Sequence, residues 1–141
     1  MTITVSNHLN FRGEARAALE HYRSVFGGHL VAITRQDGGV ADDPAEADLI
    51  LWGQVEADNG FRVMAFDVPA NQDYDRGERS FFVSVRGDSA EEITGFWAGL
   101  ADGGTIVVDL APSQWSPLYG MVTDRFGVTW VLDVAVAYAP S

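Results

Sequence analysis

A chain of 141 residues, 47% of them hydrophobic, is one domain's worth of sequence with enough apolar material for a core. Nine basic residues against twenty acidic ones give a net charge of −11, which repels phosphate backbones and anionic lipid and so argues against nucleic-acid and membrane partners. There is no cysteine, which excludes disulfides, thiolate metal sites and cysteine nucleophiles together.

No apolar run approaches the roughly 18 to 20 residues that cross a bilayer. The opening Met-Thr-Ile-Thr-Val-Ser has no basic flank before an apolar stretch, so no signal peptide is read and a cytoplasmic location is expected. Residues 3 to 11 alternate as a strand: Ile3, Val5, Leu9 and Phe11 share one face, and Thr4, Ser6, His8 and Asn10 the other. Gly13 to Phe26 reads as a helix, because Ala15, Ala18, Leu19, Tyr22, Val25 and Phe26 form one stripe and Gly27-Gly28 can end it. A strand at Leu30–Thr34 follows, then a polar loop from Gln36 to Asp48. Leu49–Val55 and Phe61–Val68 are strands joined across Asp58-Asn59-Gly60, a hairpin signal. A polar link from Pro69 to Glu78 carries Tyr74 between two aspartates.

The order then begins again. Phe81–Val85 is a strand, and Ser89 with Glu92 three residues on opens a helix whose Ile93, Phe96, Trp97 and Leu100 share a stripe. Gly103-Gly104 ends it, a strand runs from Thr105 to Leu110, and a hairpin turning at Asp124-Arg125-Phe126-Gly127 closes the repeat. Two β-α-β-β-β modules, residues 1–68 and 79–141 around a link at 69–78, predict a duplicated α+β fold in a single domain. One helix covers only one face of a four-stranded sheet. The other faces are expected to make a cup lined by Thr4, Ser6, His8 and Asn10, and by Thr129, Val131 and Asp133 of the last strand.

Three stretches carry a resemblance: Phe11-Arg12-Gly13-Glu14-Ala15 running to His21-Tyr22 and Phe26-Gly27-Gly28; Gly103-Gly104-Thr105; and Trp115 with Tyr119-Gly120-Met121-Val122 leading into Asp124-Arg125-Phe126-Gly127-Val128-Thr129-Trp130. With these the chain resembles the PhnB-like branch of the vicinal-oxygen-chelate superfamily, which includes glyoxalase I, extradiol dioxygenases and bleomycin-resistance proteins. The resemblance implies the cup and, for most enzymes of that group, a divalent metal held by four side chains. Position by position, those places fall at His8 (Asn7 if the register slips), Asp67, a position near Ser80, and Val131. Valine cannot bind a metal and serine is a poor ligand for transition metals, so neither a tightly held metal nor another cofactor is expected.

The candidate ligand-binding residues are therefore His8, Asn10, Trp52, Asp67, Trp115 and Tyr119, with His8 as candidate base and His8 with Asp67 as the pair for any weak metal. His21 and His29 read as incidental, Trp130 as core, and Arg125 as a surface ion pair that holds its turn. The leading expectation is a protein that binds a small organic molecule in the cup. A metal-dependent lyase, isomerase or dioxygenase and an interaction protein with a plugged cup stand as alternatives, and a homodimer is expected. The PhnB-like name is sometimes attached to methyltransferases, but no glycine-rich strand-to-helix turn is present for S-adenosylmethionine.

Overall fold

A computed structural model describes residues 2–136. The chain forms two compact units, residues 1–77 and 78–141. In the first, β1 (Asn7–Phe11), α1 (Ala15–Phe26), β2 (His29–Thr34), a 3₁₀ turn (Pro44–Glu46), β3 (Ile50–Glu56) and β4 (Arg62–Asp67) follow one another. In the second the order is β5 (Val83–Gly87), α2 (Ala90–Ala101), β6 (Thr105–Ala111), β7 (Tyr119–Thr123) and β8 (Thr129–Val134). The two four-stranded sheets have the same order, β1-β4-β3-β2 and β5-β8-β7-β6, each with one parallel pair and two antiparallel ones. The repeated β-α-β-β-β pattern is present, and the fold is α+β.

In each unit the helix stripe sits on one face of its sheet. Ala15, Ala18, Leu19, Tyr22 and Phe26 of α1 are buried together with Leu9, Phe11, Val55, Val63 and Ala65. Ile93 and Leu100 of α2 are buried with Val122, Trp130 and Leu132. Close approach is enforced by glycine at matching places. A Cβ on Gly53 would lie 2.4 Å from Leu19 Cδ1, and one on Gly120 would lie 2.8 Å from the Trp97 ring. Both glycines face the helix, which fixes by alternation which residues of β3 and β7 face the other way.

The first strand is shorter than its alternation suggests. Leu9 and Phe11 are buried as expected, but Ile3 and Val5 are 89% and 88% exposed and precede the paired residues. Alternation marks which faces a strand could offer, and pairing begins only where β4 supplies a neighbour, at Asn7 opposite Val63. Phe81 and Phe82 likewise lie ahead of β5 and are exposed.

Candidate functional site

In the first unit the helix-free face is built in rows across the strands. His8, Met64, Gln54 and Val31 stand opposite one another on β1, β4, β3 and β2, Asn10 stands opposite Phe66, and Ile33 opposite Trp52. The His8 ring meets Phe66 edge-on, with centroids 5.2 Å apart and planes at 71°. Its Nδ1 lies 2.9 Å from Asn10 Oδ1. With that amide oxygen accepting, Nδ1 is the donor, and in the neutral ring Nε2 is then the acceptor. The ring is thus held in both orientation and tautomer by the residue two positions along its own strand.

The segment after β4 is tied back to this face. Arg12 donates through Nη2 to the carbonyls of Pro69, at 3.3 Å, and Gln72, and its guanidinium lies 5.4 Å from the Tyr74 ring centre. The Tyr74 hydroxyl donates to the Asn10 carbonyl at 3.3 Å. Tyr74, expected in a solvated link, is therefore tied to the backbone of Asn10 and the guanidinium of Arg12.

Asp67 lies elsewhere. It is 2% exposed, follows the helix-facing parity of β4, and spends its carboxylate on backbone. Oδ1 accepts from the Gly13 and Ala15 amides at 2.7 and 3.1 Å, and Oδ2 from the Ile50 amide at 2.9 Å. Glu14 at the N-cap position makes no side-chain cap, so this carboxylate, reaching across more than fifty residues of chain, satisfies the start of α1. His8 and Asp67 are on opposite faces of one sheet.

In the second unit the helix-free face carries Tyr119, Asp133 and Arg86 in one row across β7, β8 and β5. Arg86 grips Asp133 with two bonds, Nε to Oδ1 at 3.0 Å and Nη2 to Oδ2 at 2.9 Å, while Asp133 is 4% exposed. Trp115 stands edge-on to Tyr119 with centroids 5.1 Å apart. Those two expected ligand-binding residues do meet. The Arg86–Asp133 pair beside them was not foreseen as part of a site, although the parity of Asp133 was readable in the sequence; its partner becomes visible only once the parallel register of β5 and β8 is known.

Residues 6–132 match the family model of the glyoxalase/bleomycin resistance protein/dioxygenase superfamily. The chain belongs to this superfamily. Among solved structures, protein PA1353 from Pseudomonas aeruginosa is 30% identical with a TM-score of 0.81, covering 94% of this chain and 98% of its own. The PhnB protein from Bacillus cereus, which carries a provisional 3-demethylubiquinone-9 3-methyltransferase name, is 26% identical with a TM-score of 0.77, over 94% of this chain and all (100%) of its own. A superfamily domain from Frankia sp. EAN1pec shares the fold at 9% identity, with a TM-score of 0.68 over 96% of this chain and 99% of its own. No curated protein matches the chain.

The metal usual among the superfamily's enzymes does not fit the residues at the corresponding places. The Asp67 oxygens are committed to three amides under the helix, Ser80 is an exposed hydroxyl, and Val131 offers only carbon. Asp133, two residues beyond Val131, is engaged by Arg86. Among the described residues no three His, Cys, Asp or Glu side chains are grouped so as to hold an ion. His8 is left as a hydrogen-bonding ring.

Proposed function

We propose that this superfamily member binds a small organic molecule on a helix-free sheet face without a tightly held metal, and that it does so in the cytoplasm. The observation that carries the reading is His8, its Nδ1 fixed by Asn10 and its ring set against Phe66, with Nε2 offered to a ligand hydroxyl or N–H. Met64, Trp52, Ile33 and Val31 give the same face apolar area for a ring or hydrocarbon body. In the second unit Trp115 and Tyr119 supply aromatic surface beside the polar Arg86–Asp133 pair. A few fixed polar groups among apolar side chains is the composition small-molecule sites need.

Methyl transfer from a nucleoside-bearing donor is not part of the proposal. The Gly13 and Ala15 amides at the start of α1, which could otherwise cradle an anion, are taken by Asp67.

The test uses phenol and 2-naphthol, minimal ligands with a ring and a hydroxyl donor, titrated against the full chain and followed by tryptophan fluorescence. Saturable quenching is expected, weakened about tenfold or more in His8→Ala with an unchanged melting temperature. Binding that ignores His8→Ala would contradict the proposal. Stoichiometric, tight uptake of nickel, zinc, manganese or iron through His8 would overturn its metal-free part.

A further inference from the structure

With twenty acidic residues to nine basic ones, this chain has carboxylates to spare for its arginines. Arg62, Arg86 and Arg125 each meet one. Arg35, half-buried just past the end of β2, meets none among the described residues. Its amide continues the ladder by donating to the Leu49 carbonyl at 2.9 Å. The extra residue where the register of β2 and β3 shifts is Leu51, so β2 itself alternates without a break. Ala32, opposite Gly53, faces α1, and Val31, Ile33 and Arg35 face the other way. Arg35 thus stands on the same sheet face as His8, next to the facing pair Ile33 and Trp52.

The guanidinium of Arg35 is half used. Nη2 donates to the Val40 carbonyl at 3.2 Å, while Nε is shut away from solvent with no acceptor. Nε and Nη2 make up one edge of a guanidinium, the edge with which Arg86 grips both oxygens of Asp133. In Arg35 that edge holds one neutral oxygen where a carboxylate supplies two charged ones. A buried N–H without an acceptor is costly and calls for a partner. Three acids of the following loop are engaged elsewhere: Asp37 with Thr34, Asp43 with the Ala45 amide and Glu46 with the Ala70 amide.

We infer that Arg35 is an anion-recognition residue and that the ligand is a ring-bearing carboxylate, an assignment that rests on the ligand face proposed above. One carboxylate oxygen replaces the Val40 carbonyl on Nη2 and the other accepts the Nε–H. Bonds to a charged acceptor are roughly twice as strong as those to a neutral one, which favours the exchange. The piece displaced is a turn of Gly38, Gly39 and Val40. Its valine is 39% exposed, and besides the bond to Nη2 it is held to Arg35 by the Val40 amide on the Arg35 carbonyl at 3.0 Å. Trp52 and Ile33 beside Arg35 give the ring an apolar bed. A single guanidinium brings one positive charge, which matches a carboxylate better than a doubly charged phosphate in a chain of net charge −11.

Calorimetric titration of the full chain with 2-naphthoate and its neutral isostere 2-naphthamide gives the affinity ratio that decides. The wild type is expected to prefer the carboxylate about tenfold or more, and Arg35→Gln to bring the ratio close to one. The overall charge of −11 favours the neutral amide, so a preference for the anion has a local source. A wild-type ratio near one, a preference that survives Arg35→Gln, or no binding of either compound would overturn the inference, whatever His8→Ala does to 2-naphthol. Binding of 2-naphthol that ignores His8→Ala sinks only the role of His8, and a carboxylate preference lost in Arg35→Gln still upholds Arg35. Should Arg35→Gln lose its fold, the Arg35 Nε–H signal of the wild type decides by NMR. A saturable shift with 2-naphthoate and none with 2-naphthamide is expected, and a signal that ignores both overturns the inference.

Discussion

The two units share strand order, helix length and helix-facing glycines, yet they begin their helices by opposite means. α2 is capped from within its own sequence: the Ser89 hydroxyl accepts from the Glu92 amide at 3.2 Å, and Glu91 and Glu92 stand in the first turn. α1 has no such cap and no acid in its first turn, and borrows Asp67 from the last strand of its sheet. At the place equivalent to Asp67 in the parallel pairing of β5 with β8 stands Val134, and the acid of β8, Asp133, faces the other way toward Arg86. One module spends its strand-end carboxylate on the helix, the other on the open face. A carboxylate found at the expected place in sequence can therefore belong to folding or to a surface, and only its hydrogen bonds decide.

The largest expected effect follows from that contrast. Asp67→Ala leaves the Gly13, Ala15 and Ile50 amides without their acceptor in a buried setting, and should cost about 3 kcal/mol or more. Ser89→Ala should cost about 1 kcal/mol, since water can replace an exposed local cap. Urea melts of the two variants check the ranking, and equal costs would erase the distinction between the two helix starts.

The smallest effect concerns the edge strands. The end of β2 is tied by reciprocal bonds: the Thr34 amide donates to Asp37 Oδ2 at 3.1 Å, and the Asp37 amide to Thr34 Oγ1 at 3.0 Å. The Thr34 amide, and then its hydroxyl, hold the Asp37 carboxyl below its usual value of 3.8. A lowered folded value means that the stabilisation is full above the unfolded value and disappears as pH falls through the folded one. Asp37→Asn should accordingly lose a small stability difference from wild type only below about pH 4, read as converging melting temperatures in acid. A gap that persists unchanged into acid would show that the carboxylate charge is not what ties off this edge.

Much of this architecture was legible in the sequence because it rests on local periodicity. The stripe from Ala15 to Phe26, the Ser89 cap, the Asn59-Gly60 hairpin and the inward parity of Trp130 are all written in neighbouring residues. Trp130 also donates its Nε1–H to Asp124 Oδ2 at 2.9 Å, and that carboxylate accepts the Phe126 and Val128 amides at 2.8 and 3.0 Å, so the turn motif is closed on itself. Arg125 was expected to hold this turn by an ion pair and does so, reaching the Asp102 carboxylate at 3.2 Å and its carbonyl at 3.0 Å. What local pattern could not supply was register between distant strands. Asp67 differs from a ligand-facing residue by one step of parity, Arg86 meets Asp133 across 47 positions, and Tyr74 returns to Asn10 across 64. Each depends on long-range pairing that no window of neighbours records.

The most direct measurement is an amide NMR titration of the full chain with 2-naphthol. Saturable shifts at His8, Asn10, Gln54 and Met64, with the Gly13, Ala15 and Ile50 amides bound to Asp67 unmoved, would be the result expected of a ligand face separated from a structural carboxylate. Shifts that centre on Asp67 and the start of α1, with His8 and Asn10 unchanged, would contradict it.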